Sequence, residues 1–255
     1  MRFVRFAFAD VIRFGLLDGD EVAEIDGDIF NKFTISKRVH NLSDVRLLAP
    51  CQPSKIIALG KNYAEHAKEM QGEVPREPLI FIKPSTCVIN PDDIIILPAI
   101  SKRVDYEAEL VVVIKDRTRN VSPDEANKHI LGYTCGNDVT ARDIQLSDGQ
   151  WTRGKSFDTF APLGPYIVTD LDPSNLKIEL LLNGEVKQSA RTSDMVFKVP
   201  EIVSAIARVM TLLPGDVIMT GTPSGVGPMK DGDDVEVRIE GIGTLRNHAR
   251  REEWE

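Results

Sequence analysis

The rest of the chain is organised around residues 105–114, DYEAELVVVI, and this stretch decides the fold. The β-branched, apolar run at their end predicts a buried strand. Because side chains alternate along a strand, Asp105, Glu107 and Glu109 are expected on one face. Neighbouring carboxylates beside a buried segment repel one another and lose hydration, which a hard divalent cation with oxygen ligands would offset. A solvated strand end beside the core is the alternative for Glu107 and Glu109.

A second set of polar side chains lies in residues 136–145, GNDVTARDIQ. This stretch predicts the end of a strand that turns into a helix. In that helix Asp138, Arg142 and Gln145 would stand at positions i, i+4 and i+7, on one face. An acid, a guanidinium and an amide aligned in this way suit a metal-bound substrate that carries a carboxylate. An ordinary surface ion pair explains the same spacing, so the residues alone leave both interpretations open.

Seven separated blocks of the chain resemble the fumarylacetoacetate hydrolase family, in that family's order and spacing over roughly residues 50–247. Such a series of blocks is far more specific than any single motif. The blocks are ALGKNYAEHAKEM (58–70), PLIFIKPST (78–86), YEAEL (106–110), CGNDVTARDIQ (135–145), WTRGKSFDTFAPLGP (151–165), MTGTPSGVGP (219–228) and EGIGTLRN (240–247).

The resemblance implies a metal site and a catalytic dyad. Glu107, Glu109 and Asp138 are then the ligands of one Mg²⁺ or Mn²⁺, with Ca²⁺ as a substitute in crystals. His66 and Glu69 become the dyad. They stand at i and i+3, where a carboxylate can fix the tautomer of an imidazole and raise its basicity. Without the resemblance, such a pair is usually a surface contact.

The resemblance also implies the remaining site residues. Lys155 would stabilise negative charge that develops on the substrate, and Arg142, Gln145 and Thr222 would bind the substrate's other oxygens. Taken alone, Lys155 would be a surface lysine and Thr222 part of a tight loop. Lys83, at the end of an apolar strand, is expected either to add positive charge near the site or to be an ordinary strand-end lysine.

The fold class expected is mainly β with few helices (α+β). Strand patterns dominate and do not alternate regularly with helices, which disfavours a doubly wound parallel sheet. We expect a small β-rich N-terminal domain in residues 1–50 and the catalytic domain in residues 51–255. For the latter the resemblance implies the family's mixed β-sandwich roll and a homodimer. Single helices are predicted from Ser122 to about Leu131 and from Pro200 to Met210.

Composition excludes several classes of protein. The 255 residues carry a formal net charge of -8 and lack a long basic run, which disfavours nucleic acid and anionic membranes as partners. No apolar run reaches membrane-spanning length, and no signal-peptide core follows Met1, so a cytoplasmic location is expected. The three cysteines, without a CxxC pair, are expected to be reduced and packed in the core.

The predicted function is hydrolysis of a C–C bond in an acylpyruvate-type 2-oxo acid, through a metal-bound enolate. Isomerisation or decarboxylation of 2-hydroxyhepta-2,4-diene-1,7-dioate and decarboxylation of oxaloacetate use the same enolate and stay open. A non-enzymatic scaffold that binds a 2-oxo acid is a further alternative. Leu59 stands where the founding member of the family has an additional carboxylate ligand, which favours the acylpyruvase and isomerase branch. Residues 61–77 are expected to form a lid over the substrate.

Overall fold

The computed structural model describes residues 1–253. The first 50 residues form β1 (Arg2–Phe8), β2 (Val11–Asp18), β3 (Glu21–Gly27), β4 (Phe33–Asn41) and β5 (Arg46–Leu48). Residues 51–141 add β6 (Ile56–Gly60), α1 (Ala64–Glu69), β7 (Leu79–Lys83), β8 (Val88–Ile89), β9 (Ile94–Leu97), β10 (Val104–Tyr106), β11 (Ala108–Ile114), α2 (Pro123–Ala126), β12 (Ile130–Asn137) and β13 (Thr140–Ala141). The rest forms α3 (Arg142–Asp148), α4 (Thr152–Lys155), β14 (Ala161–Val168), β15 (Lys177–Leu182), β16 (Glu185–Arg191), α5 (Val199–Val209), β17 (Val217–Met219), β18 (Gly227–Pro228), β19 (Asp234–Ile239) and β20 (Gly243–Arg251).

These elements confirm a mainly β protein with few helices. A 12-stranded sheet has the order β4-β3-β2-β1-β14-β12-β11-β17-β6-β7, and β5 and β8 pair with β1 and β14. A second sheet has the order β16-β15-β19-β20-β9, and a small third one the order β13-β10-β18. The longest helix in the described part of the chain, α5, has 11 residues, and none there is long and apolar enough to cross a membrane.

Strand β11 lies at the centre and is buried on both faces, which explains its continuous apolar sequence. Leu110 and Val112 pack into the larger core with α5 and the second sheet. Val111 and Val113 pack on the opposite face, in the smaller core that also contains Phe3. Glu107 and Glu109 are thus attached to a fully buried strand that is paired on both sides.

The N-terminal strands continue the large sheet through β1, which pairs with β14 at Arg2–Val168 and Phe3–Ile167. A hairpin joins β2 to β3. The boundary at residue 50 remains a prediction about where one folding unit ends and the next begins.

Three local predictions were wrong. The strand expected through 105–114 is interrupted at Glu107, so β10 and β11 belong to different sheets. The helix expected from Ser122 to Leu131 is only α2 and one 3-10 turn, because Ile130 already pairs with β11. Asp138 is not on the helix with Arg142 and Gln145, because it follows β12 and the helix starts at Arg142. The helix predicted near Pro200 is confirmed as α5.

Candidate active site and metal centre

Three buried carboxylates meet where β11 and β12 pair. Glu107 precedes β11, Glu109 lies within it, and Asp138 directly follows β12. The pairing places Ala108 opposite Asn137, so the chain register brings all three carboxylates to one point. One oxygen from each lies within 4.8 Å of those of the other two. The ligand set predicted from the sequence is therefore assembled, although Asp138 reaches it from a strand end.

Cations from three other elements hold two of these carboxylates. Nζ of Lys155 donates to Oε2 of Glu107 at 2.8 Å and to Oδ2 of Asp138 at 2.5 Å. Arg142 donates to Glu107 as well and, through Nε, to Oδ2 of Asp105 at 2.9 Å. Although burial alone would raise it, Lys155 and Arg142 hold the pKa of Glu107 well below its usual range. Glu107 is thus an ionised, strongly bound carboxylate.

Lys83 is completely buried behind the site and binds Asp138. It also donates to the backbone oxygens of Phe160 at 2.7 Å and Val139 at 3.2 Å. Of the two alternatives for this lysine, the structure therefore has the one with positive charge at the site. The two backbone oxygens hold the ammonium of Lys83 in place, and the ammonium in turn holds the carboxylate of Asp138.

Glu109 is the carboxylate with spare bonding capacity. Its Oε2 accepts from the backbone N–H of Gly221 at 2.6 Å, while the buried Oε1 has no hydrogen-bond partner in residues 1–253. Burial raises the pKa of Glu109 well above its ordinary value, and the charges of Asp138 and Glu107 raise it further. An unpartnered buried oxygen beside two other carboxylates fits a divalent cation, whose charge would favour the ionised form.

The dyad predicted from the sequence is formed on α1. Nδ1 of His66 lies 3.0 Å from Oε2 of Glu69, and Oε1 of Glu69 accepts from the backbone N–H of Gly225 at 2.9 Å. Glu69 is therefore held at both oxygens, and the ring of His66 is buried. A carboxylate on Nδ1 favours the tautomer in which Nε2 can accept a proton.

A cavity of about 170 Å³ is lined by His66 of the dyad and by Glu107 of the carboxylate cluster. Of the predicted site residues it contacts His66, Glu107, Arg142, Gln145, Lys155 and Thr222. Gln145 is fixed there because its Oε1 accepts from Nη1 of Arg142 at 2.7 Å. Apolar side chains complete the wall, among them Leu59, the position at which the extra carboxylate ligand is absent.

Several wall residues were not named as site residues from the sequence, and Trp151 and Lys61 are two of them. Trp151 packs edge-on against Phe81, with ring centroids 5.3 Å apart, and over Gly60, where an added Cβ would lie 2.3 Å from its ring. Lys61 follows Gly60 and also lines the cavity. Both residues lie inside blocks that carry the family resemblance, and that position is the signal by which they could have been found.

Gln188 is a further residue that sequence reasoning missed. It is completely buried, and its Nε2 donates to the hydroxyl of Thr222 and to the backbone oxygen of Pro223, both at 2.8 Å. Its Oε1 accepts from the backbone N–H of Ala108 at 2.9 Å. Gln188 thus ties the Thr222 loop to the strand that carries Glu109. An isolated glutamine in an alternating strand gave no signal of this role.

Two family models together match nearly the whole chain. The model described as fumarylacetoacetate (FAA) hydrolase C-terminal matches residues 55–250. The model described as Rv2993c-like, N-terminal matches residues 1–50.

Similar proteins differ in the activities their names state. A 5-carboxymethyl-2-hydroxymuconate delta-isomerase from Mycobacterium smegmatis is 48% identical, with a TM-score of 0.94 over 99% of this chain and 100% of that one. Oxaloacetate tautomerase FAHD2A, mitochondrial, from Bos taurus is 45% identical over 80% of this chain and 69% of its own. A maleylpyruvate hydrolase from Sphingobium sp. SYK-6, solved with manganese (II) ion and pyruvate, is 30% identical, with a TM-score of 0.83 over 99% and 100%.

Proposed function

This chain belongs to the fumarylacetoacetate hydrolase family, and from that premise we propose that it is a divalent-metal-dependent enzyme that hydrolyses a C–C bond of an acylpyruvate-type 2-oxo acid. The observation that supports the proposal is that one cavity is lined both by His66, which is paired with Glu69, and by Glu107, which belongs to the carboxylate cluster. A proton acceptor and a cation site in one cavity are the two requirements of this chemistry.

Glu107, Glu109 and Asp138 are the residues that would hold Mg²⁺ or Mn²⁺. When bound, the ion supplies Lewis acidity to the 2-oxo-carboxylate end of the substrate. Arg142 and Gln145, which are already bonded to each other, would orient that end, and Thr222 would bind a further substrate oxygen.

His66 acts as the general base. Glu69 orients its ring, and Nε2 takes a proton from water while the water oxygen attacks the acyl carbonyl carbon. The bond from that carbon to the neighbouring methylene breaks, and its electron pair stays on the pyruvate fragment. Protonation of this fragment by His66 gives pyruvate, and the acyl group leaves as a carboxylic acid. The charge of Lys155 stabilises the negative charge that develops between these steps.

A second candidate is proton relocation without bond cleavage, as in an isomerase or tautomerase. It is favoured by the relatives at 48% and 45% identity, which are named as an isomerase and a tautomerase. The maleylpyruvate hydrolase from Sphingobium sp. SYK-6 is less similar, at 30% identity. In this reaction His66 would take a proton from one carbon and return it to another atom of the same substrate, and no water would be consumed.

The experiment is metal-dependent turnover of a small panel: acetylpyruvate, fumarylpyruvate, oxaloacetate and 2-hydroxyhepta-2,4-diene-1,7-dioate, each with Mg²⁺, Mn²⁺ or EDTA. His66→Ala and Glu107→Gln should abolish turnover. Glu65→Gln is the matched control, because Glu65 lies on the same helix but is exposed and paired with Lys68.

The products separate the candidates. Release of pyruvate from an acylpyruvate, with one oxygen of H₂¹⁸O in the acid product, supports the hydrolase. Rearrangement of the dienedioate or of enol oxaloacetate, without cleavage of acylpyruvates, replaces the hydrolase by the isomerase or tautomerase. Metal-dependent binding with no turnover of any compound would indicate a 2-oxo-acid-binding scaffold, and full activity in Glu107→Gln would refute the ligand assignment.

A further inference from the structure

We propose that Lys61 is a specificity-determining residue that binds a second carboxylate at the far end of the substrate. The inference rests on the proposed function and narrows it, since the substrates would then be 2-oxo acids with a carboxylate on the tail, rather than 2-oxo monocarboxylic acids.

The backbone holds Lys61 at the cavity in an unusual conformation. Its φ is 57°, in the left-handed region that non-glycine residues rarely adopt and that costs about 1 kcal/mol or more. The turn follows Gly60, whose missing Cβ leaves room for the ring of Trp151. A lysine is therefore kept at the start of the lid segment, against the cavity wall, in spite of an unfavourable backbone.

Lys61 also differs from the other cations of the cavity in its partners. Lys155 and Arg142 each bind two buried carboxylates. Lys61 makes no ion pair and no side-chain hydrogen bond with any residue in the range 1–253, although it lines the same cavity. The positive charge that is available for a ligand is therefore the charge of Lys61.

The charge balance of the site points the same way. The site contains four buried carboxylates and four cations, so these charges balance in number. The carboxylates are Asp105, Glu107, Glu109 and Asp138, and the cations are Lys83, Arg103, Arg142 and Lys155. Glu109 is the carboxylate that is held by a backbone N–H instead of a cation. A divalent ion and Lys61 then leave an excess of positive charge that a single substrate carboxylate does not neutralise. A dicarboxylate matches the excess better.

The ammonium of Lys61 lies against the lid rather than against the carboxylates. A Cβ built on Gly72 would be 2.3 Å from Nζ of Lys61, so the missing side chain at Gly72 gives the lysine its place. Gly72 directly follows the turn that ends α1, the helix of His66 and Glu69. A tail carboxylate on Lys61 would therefore bind next to the segment that carries the general base.

The test compares two probes of equal chain length, neither of which has a second carbonyl for hydrolysis: 2-oxoadipate and 2-oxohexanoate. Their binding to the full chain with saturating Mn²⁺ is measured by calorimetry for wild type, Lys61→Met, Lys61→Arg and Lys68→Met. Lys68 is a matched control because it is an exposed lysine on α1. Lys61→Met should weaken the binding of 2-oxoadipate by about tenfold to a hundredfold, because one charge-assisted hydrogen bond is lost. Binding of 2-oxohexanoate should stay within about twofold, and Lys61→Arg should retain most of the preference.

Failure of the inference differs from failure of the proposed function. If wild type binds both probes equally, or if Lys61→Met weakens both by the same factor, Lys61 does not select a tail carboxylate, while the 2-oxo acid site stands. If wild type binds neither probe in Mn²⁺, the proposed function is refuted and the inference falls with it. Turnover gives an independent reading, since Lys61→Met should lower kcat/KM for fumarylpyruvate by a larger factor than kcat/KM for acetylpyruvate.

Discussion

Nζ of Lys155 lies 2.5 Å from Oδ2 of Asp138, and the same ammonium lies 2.8 Å from Oε2 of Glu107. It thus bridges two carboxylates of the group that would bind a metal ion. Burial alone would lower the pKa of Lys155, but Asp138 and Glu107 raise it, so the side chain stays charged. A divalent cation bound to the same carboxylates would repel this ammonium.

The first prediction is that Lys155→Met binds Mn²⁺ more tightly than wild type, by about tenfold or more, because one competing charge is removed from the ligand group. Turnover should nevertheless be lost, because charge that develops on the substrate is no longer stabilised. Titration calorimetry with Mn²⁺ measures the affinity without any substrate.

Lys128→Met is the control for this titration, because Lys128 is exposed on a distant 3-10 turn. An Mn²⁺ affinity that falls in Lys155→Met would mean that the lysine supports the ion rather than competes with it, and the prediction would be wrong.

The second prediction concerns Glu109, whose buried Oε1 has no partner in residues 1–253. Saturating Mg²⁺ or Mn²⁺ should raise the Tm of wild type, since at a hundred times its Kd a ligand stabilises by about 2.7 kcal/mol. For a chain of this size this corresponds to roughly 5–10 °C. Glu109→Gln should lose the shift, because a neutral amide is a much weaker ligand. Differential scanning fluorimetry in EDTA and in metal is the measurement.

Glu185→Gln is the matched control, as Glu185 is a strongly exposed glutamate on β16. A metal-induced shift of equal size in Glu109→Gln and Glu185→Gln would exclude Glu109 as a ligand.

Much of the site could be predicted from the sequence because its residues lie in short blocks with distinctive spacing. Glu107 and Glu109 flank one position of a central strand, and His66 and Glu69 lie one helical turn apart, so local geometry already fixes their relation. The family assignment followed from these blocks and the mainly β class from the dominance of strand patterns, and both were confirmed.

What failed depended on contacts between distant segments. The pairing of β11 with β12, rather than a helix, brings Asp138 to Glu107, and no local pattern encodes that register. Gln188, which was missed, reaches Thr222 across 34 residues. The contact of Lys83 with Asp138, which decides between the two alternatives for that lysine, spans 55 residues. Such partners are set by the packing of the whole fold, which periodicity within one element does not report.

The third prediction is that Gln188→Leu raises KM by about tenfold and lowers kcat by a smaller factor. The reason is that Thr222 loses the partner that fixes its hydroxyl. The unfolding free energy should also fall by about 1–3 kcal/mol, since the backbone N–H of Ala108 is left buried without a partner. Steady-state kinetics and thermal unfolding measure the two effects.

Gln52→Leu serves as the control for this variant, because Gln52 is exposed. A change in kcat alone, with KM preserved, would contradict the positioning role of Gln188.

The fourth prediction is a pH dependence of stability at Glu24, which is buried in β3. Its carboxylate lies 2.8 Å from Nε2 of His40, 3.1 Å from Nε of Arg13 and 2.6 Å from Nε of Arg38. Although burial alone would raise it, His40, Arg13 and Arg38 hold the pKa of Glu24 below its ordinary value.

The pKa of Glu24 is lower in the folded state than in the unfolded state. Between these two pKa values the unfolded state binds more protons, so the stability of the folded state rises with pH in that range. The contribution of Glu24 to stability is therefore complete above the unfolded pKa of about 4.3 and is lost as pH falls through the folded pKa.

Glu24→Gln should lower the unfolding free energy by about 1–3 kcal/mol at pH 7, which corresponds to several degrees in Tm. The difference from wild type should shrink below about pH 4. Glu21→Gln, at an exposed position of the same strand, should match wild type at both pH values. A Tm difference between wild type and Glu24→Gln that is the same at pH 7 and at low pH would show that the loss comes from packing rather than from the charge of Glu24.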